Sequence, residues 1–297
     1  MTSAVLAAPA RRSLVAVRDY LELSKARIVV MVLITTAAGY VMAAPRIDAL
    51  ALLNALLGTA LVAAGTNALN QYVEREHDAK MRRTRLRPLP DGRITPRAAL
   101  LFSAAIAVIG TLYLGLLVNW LTAALGALTL TSYIFVYTPL KRVSTICTLI
   151  GAIPGAIPPL MGWTAATNHI GLGGWIIFGI LFLWQLPHFM AISWLHREDY
   201  ARGGFAMLSV RDQDGAAVAR QAIYYTLALL PVSIAPALFG MTGTVYLIGS
   251  ILAGAALLAS TIRFFFDRGT KNARGLFMIS NLYLLTVMLL LVVNARS

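Results

Sequence analysis

Nine long apolar stretches constrain the fold of this 297-residue chain more than any other feature of its sequence. A helix needs about 20 predominantly apolar residues to cross the hydrocarbon core of a bilayer, and each stretch comes close to that length. Several connections between the stretches are too short to form soluble domains. The sequence therefore predicts an all-α membrane protein of nine transmembrane helices. The predicted spans are 28–45, 48–72, 98–117, 120–138, 144–166, 172–194, 219–240, 243–265 and 275–294.

Composition supports a membrane protein over a soluble one. Charged residues make up 12% of the chain, whereas a typical soluble domain carries about 25% because its surface faces water. The N-terminal residues hold bases but no compact apolar run that ends at a small-residue cleavage site, so a signal peptide is not expected. We expect residues 1–23 to form a cytoplasmic tail and residues 24–297 one transmembrane domain. The lone Cys147 excludes an intramolecular disulfide and is expected to be a small packed residue within a helix.

The basic residues gather at one end of the predicted bundle. Of the 25 Lys and Arg residues, 23 fall in the tail or in the loops on its side, and only Arg46 and Arg296 fall opposite. Positive loops remain in the cytoplasm, so the N-terminus is expected there and the C-terminus on the other side of a cell's inner membrane. Because the bases lie in short loops rather than on a soluble module, nucleic acid is not an expected partner.

The acidic residues share the basic end. Eleven of the 12 Asp and Glu residues lie there, and only Asp48 lies opposite. Acidic residues contribute little to membrane topology, so insertion rules do not explain this distribution. A functional site at the cytoplasmic end would explain it.

The strongest candidate for that site is formed by Asn70, Glu74 and Asp78, which follow one another at intervals of four. This spacing places the three side chains on one stripe of a helix, at the mouth of the second span. Two carboxylates four residues apart repel each other unless a cation lies between them. Their oxygen atoms suit Mg²⁺, which binds one or two carboxylates together with substrate phosphates. The alternative is a solvated helix end.

Bases suited to phosphate surround the stripe in sequence. Arg residues follow it at once, and a guanidinium binds phosphate oxygens through two parallel hydrogen bonds. The bases elsewhere at this end of the bundle would serve equally well as topology anchors. The remaining candidates for a diphosphate site are Lys25, Arg27, Tyr137, Lys141 and Arg142.

The second long polar interruption, residues 195–218, has a similar composition. It contains His196, Glu198 and Asp199, and one of its acids would complete a second metal position facing the first. Two metal ions would neutralise a diphosphate leaving group. The alternative is that these acids belong to the surface of a loop.

Two apolar spans carry unusual residues. Span five contains several glycines and prolines between 151 and 159, which favour close helix approach and a kinked helix. Span six contains Trp184, Gln185 and His188, and polar groups at membrane depth usually face a cavity. His188 would ligate iron, contact a carboxylate or bond to a neighbouring helix, and the pattern alone does not choose between these.

Four motifs together resemble those of the UbiA-type membrane prenyltransferases, in the form typical of the protohaem IX farnesyltransferases (haem O synthases). The resemblance runs from about Leu23 to the C-terminus. The motifs are Asn70-Gln71-Tyr72-x-Glu74-x3-Asp78 with Arg83 and Arg87-Pro88-Leu89, Tyr137-Thr138-Pro139-Leu140-Lys141-Arg142, residues 155–163, and Trp184-Gln185-x-Pro187-His188-Phe189 with Asp199-Tyr200.

The resemblance implies nine helices around a central cavity and a Mg²⁺-dependent transfer of a farnesyl group. Farnesyl diphosphate would be ionised and attacked by a vinyl group of haem b, and water would complete haem O. By position, the stripe would hold Mg²⁺, with Arg83, Arg87, Lys141 and Arg142 on the diphosphate. His188, His196, Trp184 and Gln185 are the candidates for contact with haem, and Asp199 for a second metal.

Two features depart from the family pattern. The superfamily often has a second acid pair with three residues between, whereas here Asp199 is followed four residues later by Gly203. Many relatives read Lys-Pro-Arg at the first span, whereas this chain has Ala26 between its two bases.

Two other functions remain open. A prenyltransferase acting on an aromatic or quinone precursor would use the same diphosphate site. A polytopic transporter would carry its polar residues at mid-membrane and show internal repeats. The resemblance also leads us to expect a haem A synthase or a terminal oxidase assembly factor as a partner.

Overall fold

The structure is a computed structural model that describes residues 17–295. Within that range it contains no β-strand, and nine helices are long and apolar enough to cross a membrane. The all-α prediction is confirmed, and the chain is a multi-pass membrane protein. The spans are α1 (Ala26–Ala43), α2 (Ala49–Asp78), α3 (Pro96–Leu117), α4 (Trp120–Leu140), α5 (Cys147–Thr167), α6 (Leu172–Leu195), α7 (Ala216–Leu238), α8 (Thr244–Phe266) and α9 (Thr270–Val293).

Side-chain caps begin three of these helices. Asp48 accepts hydrogen bonds from the backbone amides of Leu50 and Ala51 at the start of α2. Thr95 and Asn119 cap α3 and α4 in the same way. Such caps satisfy amide groups that have no partner within the helix. Capping therefore explains Asp48, the single acid that lies apart from the others.

The second span is longer than the sequence predicts. It was expected to end at residue 72, but α2 continues to Asp78. The helix continues because Glu74 and Asp78 lie on a buried face, with 6% and 1% of their surface exposed. The predicted loop 73–97 is correspondingly reduced to residues 79–95, which we call the 79–95 loop.

The fourth span contains a turn of π-helix at Ser132–Tyr137, followed by a last short turn at Thr138–Leu140. Single π-helical turns within α-helices are frequent at functional sites. Here the π-helical turn ends next to Thr138, three residues before Lys141.

Small residues bring α1 and α5 together, as predicted for span five. A Cβ atom on Gly39 would lie 1.9 Å from the carbonyl oxygen of Pro159, and one on Gly162 would lie 1.9 Å from that of Thr36. Only residues without a side chain permit this separation. Helices α5 and α6 have the largest buried shares, 61% and 67%, and form the centre of the bundle.

The chain N-terminal to α1 is helical over residues 17–23. The predicted tail, 1–23, therefore includes a helix at its end, and its residues 1–16 lie outside the described range. Arg296, one of the two bases predicted on the opposite side, also lies outside it. Residues 17–25, which we call the 17–25 segment, lead directly into α1.

We expect Gly162→Ala to lower the thermal stability of the purified protein in detergent. The added methyl group would overlap a backbone carbonyl, and overpacking of this kind costs about 1–3 kcal/mol. Gly275→Ala is the matched control, because a Cβ there meets nothing within 4 Å. A Gly162→Ala protein that unfolds at the wild-type temperature would contradict the close approach of α1 and α5.

Candidate active site

The predicted stripe lies on the last two turns of α2. Asn70, Glu74 and Asp78 are all buried, with 1%, 6% and 1% of their surface exposed. Burying two carboxylates in one stripe requires compensating charge, since an unpaired buried ion is strongly destabilised.

Three bases from three different parts of the chain supply that compensation. One lies just before α1, one just after α4 and one in the 79–95 loop. Each donates to a different member of the stripe, so every member of the stripe has a basic partner. The pairs are Lys25 Nζ with Asn70 Oδ1 at 3.0 Å, Lys141 Nζ with Glu74 Oε1 at 2.8 Å, and an Arg87 guanidinium nitrogen with Asp78 Oδ2 at 2.7 Å.

The first two bases are held in different ways. Lys25 has a left-handed backbone, with φ 51° and ψ 54°, and lies between the helical residues 17–23 and α1. Lys141 lies with its Nζ 4.7 Å from the centre of the Tyr137 ring, a cation–π distance. Its carbonyl accepts a hydrogen bond from the Ala206 amide at 2.7 Å. The position of Lys141 is therefore fixed at both its backbone and its side chain.

The electrostatics of the site favour an incoming anion. Burial lowers the pKa of Lys25 to about 7, and the positive charges of Arg87 and Lys141 act in the same direction. Burial acts on Lys141 as well, but the Glu74 carboxylate outweighs it and holds the pKa of Lys141 well above its usual value. A bound anion would favour the charged form of both lysines.

Thr138 belongs to the site, although no role was predicted for it from the sequence. Asn70 Nδ2 donates to Thr138 Oγ1 at 3.2 Å, and Thr138 donates in turn to the carbonyl of Tyr133 at 2.8 Å. This orients the amide of Asn70 so that its oxygen faces Lys25. No periodicity reveals a π-helical turn, so the contact was not predictable from the pattern of apolar residues.

The stripe fits a hard cation in its chemistry. Asp78 Oδ1 is buried and has no hydrogen-bond partner within the described part of the chain. An unsatisfied buried carboxylate oxygen is unusual, and an ion is one explanation for it. With Oδ1 of Asn70 and the carboxylate of Glu74, it makes an all-oxygen donor set of the kind that binds Mg²⁺. No group of three or more His, Cys, Asp or Glu side chains with metal-site spacing occurs within residues 17–295.

Asp199 connects two loops. It lies on the short helix Arg197–Arg202, and its Oδ1 accepts hydrogen bonds from the backbone amide of Arg82 and the guanidinium of Arg202. Burial would raise the pKa of Asp199, but these hydrogen bonds outweigh it and lower the pKa. In the structure this carboxylate contacts the 79–95 loop. A role for Asp199 as a metal ligand stays a prediction.

His77 provides a second link between the same loops and was also missed. Its Nδ1 lies 2.7 Å from the carbonyl oxygen of Gly203, so Nδ1 carries the proton, and Nε2 lies 3.4 Å from an Arg142 nitrogen. Its position next to Asp78 was the sequence feature that could have indicated it.

The guanidinium of Arg83 lies 5.8 Å from the centre of the Tyr200 ring. Neither Arg83 nor Arg142 is paired with the stripe.

Arg27 is exposed, and no hydrogen bond or ion pair of its side chain occurs among the described residues. Its role as a diphosphate ligand stays a prediction.

An apolar depression of about 530 Å³ opens beside the end of α4 and includes Arg142. It is lined also by Phe135, Val136, Pro139, Leu140 and Val143.

The span-six residues make helix–helix contacts. Trp184 Nε1 donates to the carbonyl oxygen of Ser280 at 2.6 Å, and His188 Nδ1 lies 2.8 Å from the hydroxyl of the same serine. The rings of His188 and Trp184 stack at 4.9 Å. Gln185 donates to Leu181 within its own helix.

The other predicted haem contact is at the end of the same helix. His196 is half-buried at the end of α6, and burial together with the charge of Arg83 lowers its pKa. Contact of these four residues with haem stays a prediction.

Comparison with known proteins identifies the architecture. Residues 32–285 match the UbiA prenyltransferase family. The chain belongs to the UbiA prenyltransferase family. A protoheme IX farnesyltransferase of Solibacter usitatus (strain Ellin6076) is 48% identical over 277 residues, which cover 90% of this chain and 95% of the relative. The resemblance predicted from the motifs is confirmed.

Solved structures of UbiA-family members share the fold. A structure reported for digeranylgeranylglyceryl phosphate synthase superposes with a TM-score of 0.79 at 19% identity, covering 94% of this chain and 98% of the other. A UbiA homologue from Archaeoglobus fulgidus bound to GPP and Mg²⁺ gives 0.65 at 13% identity, with 93% and 99% covered. The nine-helix UbiA-type fold predicted for this chain is therefore confirmed.

Proposed function

We propose that this membrane prenyltransferase transfers a farnesyl group from farnesyl diphosphate to a vinyl group of haem b. Water adds to the product, which is haem O, and diphosphate is released. The observation that carries the proposal is the buried row of three base–oxygen pairs at the end of α2. The acceptor is inferred from the relatives at 40–48% identity that are named protoheme IX farnesyltransferase.

The three pairs are suited to exchange partners when substrate arrives. A diphosphate would bind the ammonium groups of Lys25 and Lys141 and the guanidinium of Arg87 in place of the stripe. It would do so because a diphosphate carries more negative charge than a single carboxylate. The oxygens of Asn70, Glu74 and Asp78 would then be free for a cation. Each base thus holds the stripe in order before the substrate binds.

Magnesium is the proposed cofactor, held by Asn70, Glu74 and Asp78. When bound, Mg²⁺ would neutralise charge on the departing diphosphate. Lys25, Lys141 and Arg87 would stabilise the same charge through charge-assisted hydrogen bonds in a site shielded from water. The carbon–oxygen bond of farnesyl diphosphate breaks with its electron pair moving to the diphosphate, and the vinyl carbon of haem b bonds to the farnesyl carbon. Water then adds to the resulting cation and loses a proton.

The apolar parts of both substrates need apolar surfaces beside the diphosphate site. The depression next to α4 includes Arg142 and suits a prenyl chain. Trp184, Gln185, His188 and His196 are proposed to lie against haem from the α6 side. Asp199 is proposed to hold the 79–95 loop. It is also the proposed ligand for a second metal ion.

Orientation and location are also part of the proposal. We propose that the diphosphate site lies at the cytoplasmic face of a cell's inner membrane, because the base-rich loops favour that orientation. Haem A synthase or a terminal oxidase assembly factor remains the expected partner, because free haem O is apolar and suited to direct transfer.

We expect the purified full-length protein to convert haem b and farnesyl diphosphate to haem O and diphosphate, and to stop when Mg²⁺ is removed with EDTA. Haem O is measured by chromatography and mass spectrometry, and diphosphate release by a coupled assay. Restoring activity with Mg²⁺ after EDTA controls for irreversible damage.

A panel of aromatic acids and quinone precursors tests the alternative acceptor in the same assay. Farnesylation of one of these, with haem b unreactive, would replace the proposed acceptor. Solute uptake into proteoliposomes without diphosphate release would indicate a transporter.

A further inference from the structure

The 17–25 segment is fastened to the 79–95 loop by contacts that the proposed chemistry does not use. Arg93, in that loop, donates hydrogen bonds to the carboxylates of Asp19 and Glu22 on the segment. It also donates to Asp91 in its own loop at 3.0 Å. One guanidinium thus joins two stretches of chain that are about 70 positions apart in the sequence.

The pair with Asp19 is the part of this network that requires Arg93. The Asp19 side chain is only 5% exposed. A carboxylate is almost never buried to this extent without a paired base. Arg93 also donates to the carbonyl oxygen of Leu86 at 2.7 Å, which holds the part of the loop next to Arg87.

A second anchor joins the segment to α2. Gln71 Nε2 donates to the carbonyl oxygens of Leu23 and Glu22 at 2.7 and 3.1 Å. Gln71 directly follows Asn70, so the end of the segment is held next to the first member of the stripe.

Between these anchors and α1 lies Lys25, whose backbone is left-handed. Left-handed φ is uncommon for residues other than glycine and persists where surrounding contacts hold it. The other example among the described non-glycine residues is Asn168, an asparagine at a helix end where this conformation is ordinary. Lys25 uses the turn to bring its Nζ to 3.0 Å from Asn70 Oδ1.

We propose that Arg93 is a positioning residue for prenyl diphosphate, because it holds the 17–25 segment against the 79–95 loop and thereby keeps Lys25 Nζ beside Asn70. The proposal rests on the proposed role of Lys25 in binding diphosphate. Arg93 acts through Lys25 and contributes no group to the reaction.

The test compares steady-state kinetics of purified full-length variants in detergent. Arg93→Gln is expected to raise KM for farnesyl diphosphate about tenfold and to change kcat by less than about twofold, since it loosens a binding group. Arg97→Gln is the matched control. It removes the same charge close by in the sequence from an exposed side chain that makes no ion pair among the described residues, and its KM is expected to match wild type.

A double-mutant cycle distinguishes positioning from a general loss of stability. If Arg93 acts through Lys25, then adding Arg93→Gln to Lys25→Met raises KM no further. Asp19→Asn, which removes the buried partner instead, is expected to raise KM in the same direction as Arg93→Gln.

Additive effects in the cycle, or a wild-type KM in Arg93→Gln, would overturn the proposal. A wild-type protein that releases no diphosphate with any acceptor would overturn the proposed function itself, and this inference with it. Should Arg93→Gln fail to fold, Asp19→Asn and its cycle with Lys25→Met decide the matter on the same criterion.

Discussion

Replacing Asp78 with Asn is expected to lower the rate of farnesyl transfer about 100-fold or more, the usual effect of losing one preorganised charged group at a reacting centre. Asp78 is buried, accepts from Arg87 through one oxygen and has no hydrogen-bond partner at the other within the described chain. An amide keeps the shape but loses the charge needed for a cation. The measurement is haem O formed per minute at saturating farnesyl diphosphate, over a range of Mg²⁺ concentrations.

Glu76→Gln is the matched control for this variant. Glu76 lies two residues earlier on the same helix, and its side chain is 79% exposed. The Glu76→Gln variant loses one negative charge from the same end of α2, and its activity is expected to equal that of the wild type. Full activity in Asp78→Asn would remove Asp78 from the site. A loss in both variants would indicate a general electrostatic effect.

The stripe was predictable because it depends on helix geometry alone. Residues four apart share a face of a helix whatever surrounds it, so Asn70, Glu74 and Asp78 had to align once α2 extended past them. The number of spans was predictable for a similar reason, since the length of an apolar stretch is set by bilayer thickness. The end of α2 was placed six residues early, because polar residues were taken to mark the end of a helix that in fact buries them.

The pairing of bases with the stripe was only partly predictable. Lys25, Lys141 and Arg87 were all candidates, but their assignment to separate oxygens depends on contacts 45, 67 and 9 residues apart in the sequence, respectively. The sequence also grouped Arg83 and Arg142 with them, and the structure places those two on an aromatic ring and a histidine. Identical residue types in one loop take different partners for reasons that only the tertiary structure contains.

The role of Asp199 shows a further limit. Its place in a second polar interruption suggested a second metal position, and the same position suits a link between loops. The structure gives it two hydrogen bonds with the 79–95 loop and the helix Arg197–Arg202. Composition cannot separate these two uses, because the same carboxylate can accept a hydrogen bond from an amide or bind a metal cation.

The second large effect is expected from Lys141→Met, which should destabilise the protein by about 3–5 kcal/mol because it leaves a buried carboxylate without its partner. Lys141 and Glu74 are 12% and 7% exposed at their side chains and lie 2.8 Å apart. Their attraction is therefore poorly screened by water. Unfolding in detergent, followed by tryptophan fluorescence against denaturant, gives the change in free energy.

The double variant Lys141→Met with Glu74→Gln separates stability from activity. Removing both charges removes the uncompensated carboxylate, so most of the lost stability should return. Activity should not return, since both side chains belong to the proposed diphosphate and metal site. A double variant as unstable as Lys141→Met would mean that Lys141 stabilises the fold through its cation–π contacts with Tyr137 and Phe205 rather than through its pair with Glu74. A double variant that regained activity would remove the pair from the catalytic site and leave it a purely structural contact.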